Sequence, residues 1–245
     1  MFSAVRRHFA AHILATALGA AIVGTAADAA SISANPTSGL LASQSNFFGA
    51  VSMDLSGFGL CDNSGALATN AGTFRRVSST PGSGESVCGD NGYSVQVKDQ
   101  TLPNLFGRHN PPERIGRWID SNDIERVDWE IDTEALRLKP LMGLEFALVD
   151  AFDQRDWGGL GPSFFDLSVN GASWSIDSLE PNATVHWITI LFDQPVSNAV
   201  ISFNTRLNDG WGVANATIAP IPAPPAAFLA IGGFALLIAL RRRRT

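Results

Sequence analysis

Oxygen-rich clusters and tryptophans are the residues of this chain best suited to chemistry. Asp120, Asn122 and Asp123 stand together, Asp150 and Asp153 follow one strand-like run, and Asp209 precedes Gly210. Calcium takes six to eight hard oxygens, which such loops supply, so these six are the candidate metal ligands and calcium the candidate cofactor. The EF-hand pattern does not apply, because the sixth position counted from Asp120 is Glu125 and not glycine. Asx residues are also good turn formers in their own right, which is the alternative reading of each cluster. Trp118, Trp157 and Trp211 lie beside Gly, Arg or Asp. A flat aromatic face with polar neighbours can hold a sugar ring, so these three are the candidate glycan-binding residues, expected at loop rims. Trp174 and Trp187 sit in strand patterns and are expected in the core.

Catalysis finds little footing. Outside the first 29 residues the histidines are His109 and His186, and no HExxH, G-x-S-x-G or phosphate-cradling glycine motif occurs. No catalytic residue is assigned. Two acids at a suitable separation could run glycoside hydrolysis, but the sequence singles out no pair, so a secreted polysaccharide-active hydrolase stands only as an alternative.

These groups must be positioned by short strands. Apolar or alternating runs occur at 47–55, 93–97, 124–131, 144–149, 164–169, 185–192, 196–203 and 213–218, separated by Gly, Pro, Asn and Asp. No stretch of the body shows convincing helical periodicity, which predicts an all-β fold: a single β-sandwich of jelly-roll type over residues 30–218. In Val127-Asp128-Trp129-Glu130-Ile131-Asp132 the apolar side chains share one face and the acids the other. Trp129 is thereby assigned to the core.

Both ends differ from this body. Arg6 and Arg7, an apolar stretch from Phe9 to Val23 and the small-x-small site Ala27-Asp28-Ala29 describe a secretory signal peptide over residues 1–29, cleaved at the Ala27/Ala29 site. At the other end, 226–240 is uncharged and is followed by Arg241, Arg242, Arg243 and Arg244. As a helix it rises about 22 Å, short of the ~30 Å hydrocarbon core, so it suits transient membrane engagement better than permanent anchoring. The arginines are expected to stay cytoplasmic with the body outside.

Without the two arginines and Asp28 of the leader and the four tail arginines, 11 basic residues face 22 acidic ones, about −11 against −6 for the whole chain. That field excludes nucleic acid as a partner. Cys61 and Cys88 are the only cysteines. In an oxidising compartment they are expected to form one disulfide.

Ala219-Pro220-Ile221-Pro222-Ala223, the apolar helix and the terminal arginine cluster together resemble the VPLPA variant of the PEP-CTERM sorting signals of exported Gram-negative proteins. Pro220, Pro222 and Ala223 match that motif, Ile221 stands for its Leu, and Ala219 departs from its Val. Segments 118–132, 150–154 and 208–212 also look like stretches recurrent in such proteins. The resemblance implies a sorting signal over 219–245, an exosortase-like membrane enzyme as processing partner, transient contact with the inner membrane, and delivery to the cell surface or exopolysaccharide matrix. A permanently tail-anchored surface protein is the alternative with the same topology. The expected role is structural, adhesive or glycan-binding rather than enzymatic.

Overall fold

The computed structural model describes residues 29–37, 47, 50–78, 88, 93–99, 101, 116–152, 164–181, 183–205 and 210–220. The signal segment with Ala27, and the tail from Ile221 through Pro222, Ala223 and Arg241–Arg244, lie outside them. No helix among the described residues is long and apolar enough to cross a membrane.

Among these residues the chain forms β1 (Ala30–Thr37), β2 (Val51–Ser52), β3 (Asn63–Ser64), β4 (Ala66–Thr69), β5 (Gly72–Arg76), β6 (Val95–Asp99), β7 (Arg117–Asp120), β8 (Arg126–Asp132), β9 (Leu141–Val149), β10 (Phe165–Val169), β11 (Ala172–Ile176), β12 (Val185–Val196), β13 (Asn198–Thr205) and β14 (Gly212–Pro220). They make two antiparallel sheets, as a β-sandwich requires. The first runs β1-β12-β9-β14-β7-β6-β3, with β2 also paired to β14; the second runs β11-β10-β13-β8-β5-β4.

Strong alternation predicted well. The runs from 124, 144, 164, 185, 196 and 213 become β8, β9, β10, β12, β13 and β14, and the run from 93 becomes β6. The run 47–55 was expected as one strand; among its described residues only Val51–Ser52 pairs as strand. Strand β11 carries Trp174, which was expected on a strand, whereas β1, β3, β4, β5 and β7 were not anticipated. They are short or rich in Ser, Ala, Thr, Asn and Arg, and they are ordered by neighbours rather than by their own apolar content.

The body also reaches further than residue 218. β14 continues through Ala219, buried and paired with Gly143, to Pro220, paired with Leu141. The first proline of the motif therefore closes a strand of the body, where its missing N–H is tolerated.

Cross-strand pairing defines two poles. Thr37, Val185, Val149, Gly212, Asp120, Gln96 and Asn63 succeed one another across seven strands of the first sheet. At this end β7 leads to β8, β9 to β10, β11 to β12 and β13 to β14, each step passing from one sheet to the other. This is the loop pole. At the opposite pole Ala30 pairs with Phe192, Leu191 with Gly143 and Gly143 with Ala219. Three strand spacings, about 14 Å, thus separate the first residue of β1 from the end of β14.

The core between the sheets is threaded by rings. Phe74 stacks on Trp129 at 5.0 Å, Trp129 meets Phe146 edge-on at 5.8 Å, and Phe146 meets Phe203 at 5.8 Å. Phe203 stacks on Trp211 at 4.5 Å; Phe165 then contacts both Trp211 and Trp174 at 6.3 Å. Trp129 is fully buried, as alternation predicted, and its Nε1 donates to the Ala71 carbonyl at 3.0 Å. That contact fixes the β4–β5 turn. Gly72 has φ +123° there, and a Cβ would lie 2.5 Å from the Glu130 carbonyl, so no other residue fits.

The predicted disulfide joins Cys61 to Cys88, 27 residues apart. It ties the 88 region to a turn that already pairs with β6 through Cys61 N to Val97 O at 2.9 Å and Val97 N to Asp62 O at 2.9 Å. Loop closure of that length restricts the unfolded chain by roughly 3 to 4 kcal/mol in the entropic model. Cys61→Ser/Cys88→Ser should lower denaturant-measured stability by about that amount; an unchanged midpoint would remove the bond from the account.

Candidate functional site

Several predicted site residues meet at the loop pole, but as structure. Asp120 is fully buried, and its Oδ1 accepts from Lys98 Nζ at 3.1 Å and from Asn122 N at 2.8 Å, while Trp118 Nε1 reaches Oδ2 at 3.5 Å. Lys98 is equally buried. The positive charge that the sequence reading supplied as calcium is here a lysine from the neighbouring strand β6. Asn122 spends its amide on the Ser94 carbonyl at 3.2 Å. Asn122 and Asp123 adopt left-handed φ of 54° and 58°, a conformation Asx residues tolerate. Asp150, also left-handed, accepts from Ala183 N at 2.6 Å and donates its own N–H to the Thr184 carbonyl at 2.8 Å, tying its turn to the one before β12. The turn-former reading accounts for the left-handed Asn122, Asp123 and Asp150, and at Asp120 Lys98 supplies the positive charge expected of a cation. Among the described residues no three His, Cys, Asp or Glu side chains cluster as a metal site. Asp153 and Asp209 lie outside the described residues.

The aromatic platform fails for two of its three members. Trp118 and Trp211 are fully buried, not rim residues. Trp118 is on a strand that was not anticipated, on the outer face of the first sheet, where Ala147, Val149, Val185 and Ala214 enclose it. Gly212 makes room: a Cβ there would stand 3.1 Å from the Trp118 ring. Trp211 is turned inward by two bonds to Ser121, Trp211 N to Ser121 Oγ and Ser121 N to Trp211 O, both 2.9 Å. Trp157 lies outside the described residues. Trp174 and Trp187, expected in the core, are half-buried at its margin.

His186 is buried as expected of a structural histidine, 5.3 Å from the Trp174 ring, and neither ring nitrogen has a hydrogen-bond partner among the described residues. Burial pushes its pKa below the usual 6.5, against a smaller upward pull from Glu180, whose Oε1 is 4.0 Å from Nε2. The folded state therefore favours neutral imidazole. Its contribution to stability is full above pH ~6.5 and is lost as pH falls through the lowered folded value. Unfolding titrations should show this acid-side loss in the wild type and a smaller one in His186→Phe; equal slopes would assign it elsewhere.

The open surface is the outer face of the second sheet. On β8, Val127, Trp129 and Ile131 point inward, and the acids occupy the other face as alternation predicted. Two of those acids are matched: Arg126 approaches Asp128 at 3.3 Å, and Arg75 approaches Glu130 at 3.0 Å. Cross-strand register lines up Ser175, Asp166, Asn204 and Arg126 in one row, and Ser173, Ser168, Ser202, Asp128 and Arg75 in the next. At the loop-pole end a groove of about 350 Å3 opens between Phe164, Val77, Ser78, Glu125, Arg126 and Asn204.

A second groove, about 390 Å3, lies where the edge of β14 passes from β7 to β2, beside Arg117 and the left-handed Asn215. Arg117 Nη1 is committed there to the carbonyls of Leu55, Ser56 and Phe58, which makes it a brace for the 55–58 turn. Sequence reading missed the polar rows because it treated the solvent side of each strand only as the complement of the core. The signal was present in the alternate positions of the runs 164–169 and 196–203. No protein-family model matches the chain, and no characterised protein shows significant sequence similarity to it.

Proposed function

We propose that this is an exported surface protein: a β-sandwich of jelly-roll type, released from its signal peptide and sorted through its tail to the envelope or extracellular matrix. Its role there is adhesive and glycan-binding rather than catalytic. The observation that supports this reading is the position of the two ends. The signal-peptide junction and the Pro motif each adjoin a strand end at the same pole, about 14 Å apart on one sheet. A body held outside the membrane, with Arg6–Arg7 and Arg241–Arg244 both cytoplasmic, needs its two membrane-directed segments at one pole. The disulfide-linked turn suits the same oxidising compartment. The exchange of chain between sheets at most loop-pole connections supports the jelly-roll description.

The test is expression of the full chain in a Gram-negative host carrying an exosortase-type enzyme and in the matching deletion strain. Surface or medium localisation in the first, with retention in the inner membrane in the second, is expected. Identical inner-membrane retention in both would favour a permanent tail anchor, and cytosolic protein in both would end the proposal.

A further inference from the structure

We infer that the outer face of the second sheet, with the groove at its loop-pole end, binds a neutral, extended polysaccharide; the inference deepens the adhesive reading above and rests on it for biological context only. Phe164 and Val77 form an apolar wall, and Ser78, Glu125, Arg126 and Asn204 supply hydrogen-bonding groups around it. This combination suits a pyranose, whose C–H face is apolar and whose rim is hydroxyl. Asn204 is half-buried, and its amide forms no hydrogen bond among the described residues, so both donor and acceptor remain available.

The rows extend the site beyond the groove. Ser175, Asp166, Asn204 and Arg126 come from four adjacent strands, as do Ser173, Ser168, Ser202 and Asp128. Their lateral step is the interstrand spacing of about 4.8 Å, close to the length of one sugar residue in an extended chain. Ser202 and Asp128 are buried and bonded to Arg126, so a polymer lying across the strands meets in turn the Ser175–Asp166 pair, joined at 2.6 Å, then Asn204, then Arg126.

Charge and apolar content select the occupant. Both arginines on the face already approach carboxylates, Arg126 at Asp128 and Arg75 at Glu130, so no free cationic row awaits a polyanion. The net acidity of the chain adds repulsion. A second copy is poorly served: among the described residues, of the large exposed apolar side chains only Val200 lies on this face and Val77 at its edge, too little for a stable homodimer core.

The closing experiment uses the full chain in detergent, so that its outcome does not depend on export or processing. Titration calorimetry with cellohexaose, laminarihexaose and chitohexaose should detect binding of at least one, with an alginate hexamer not bound. Asn204→Ala and Asp166→Ala should each weaken that binding by about tenfold or more, at unchanged melting temperature. Failure of all three neutral hexasaccharides to bind, preference for the alginate hexamer, or full affinity in both variants would overturn the site. Concentration-dependent self-association abolished by the same variants would also overturn it, in favour of a face between copies.

Discussion

Trp211→Ala should destabilise the protein by about 3 to 5 kcal/mol, the range for truncating a large buried aromatic. The side chain is fully buried, stacks on Phe203 at 4.5 Å and meets Phe165 at 6.3 Å. Truncation opens a cavity where the aromatic series of the core continues toward Trp174. Trp211→Phe should cost far less. The indole N–H is buried without an acceptor among the described residues, so removing it relieves an unpaired donor while most of the ring volume is kept. Chemical denaturation of the two variants checks both expectations. If Trp211→Ala unfolded like the wild type while losing affinity for a neutral oligosaccharide, Trp211 would return to the exposed platform on which the sequence placed it.

Lys98→Met should cost a comparable amount, about 3 to 5 kcal/mol, for a different reason. Removing one partner of a buried ion pair leaves the other charge uncompensated. Asp120 would keep its bonds from Asn122 N and Trp118 Nε1 but would lose the cation at 3.1 Å. For a body of this size the melting temperature should fall by roughly 10 °C. Adding Asp120→Asn in the same chain should recover a large part of the loss, because the amide oxygen can still accept from Asn122 N without carrying charge. A double-mutant cycle reads this directly. Additive losses would show that the pair is not the unit of stability at this pole.

Sequence was informative where a single physical constraint acted on consecutive residues. Trp129 and its alternating neighbours must face inward whatever pairs with them, so β8 and the core position of Trp129 followed from periodicity. The disulfide followed from there being only two cysteines. Trp118 and Trp211 were misplaced because their burial depends on partners far along the chain. Trp118 needs Gly212 and Ala214 beside it, and Trp211 needs Ser121 to turn it. Local Gly and Asp neighbours signalled a loop, and long-range packing decided the side chain. Asp120 is the same case in charge: its acidic neighbours suggested a metal, whereas its counter-ion is Lys98, 22 residues away. The polar rows depend on cross-strand register, which no single strand reveals.

The central claim is that both apolar termini are addresses read during export, around a body that folds where disulfides persist. Intact-mass analysis of the protein recovered from its native cell, with and without thiol alkylation, tests it most directly. The account predicts one mature species lacking residues 1–29 and Arg241–Arg244, with Cys61 and Cys88 inaccessible to the alkylating reagent. A species running from Met1 to Thr245 with both thiols alkylated would contradict it.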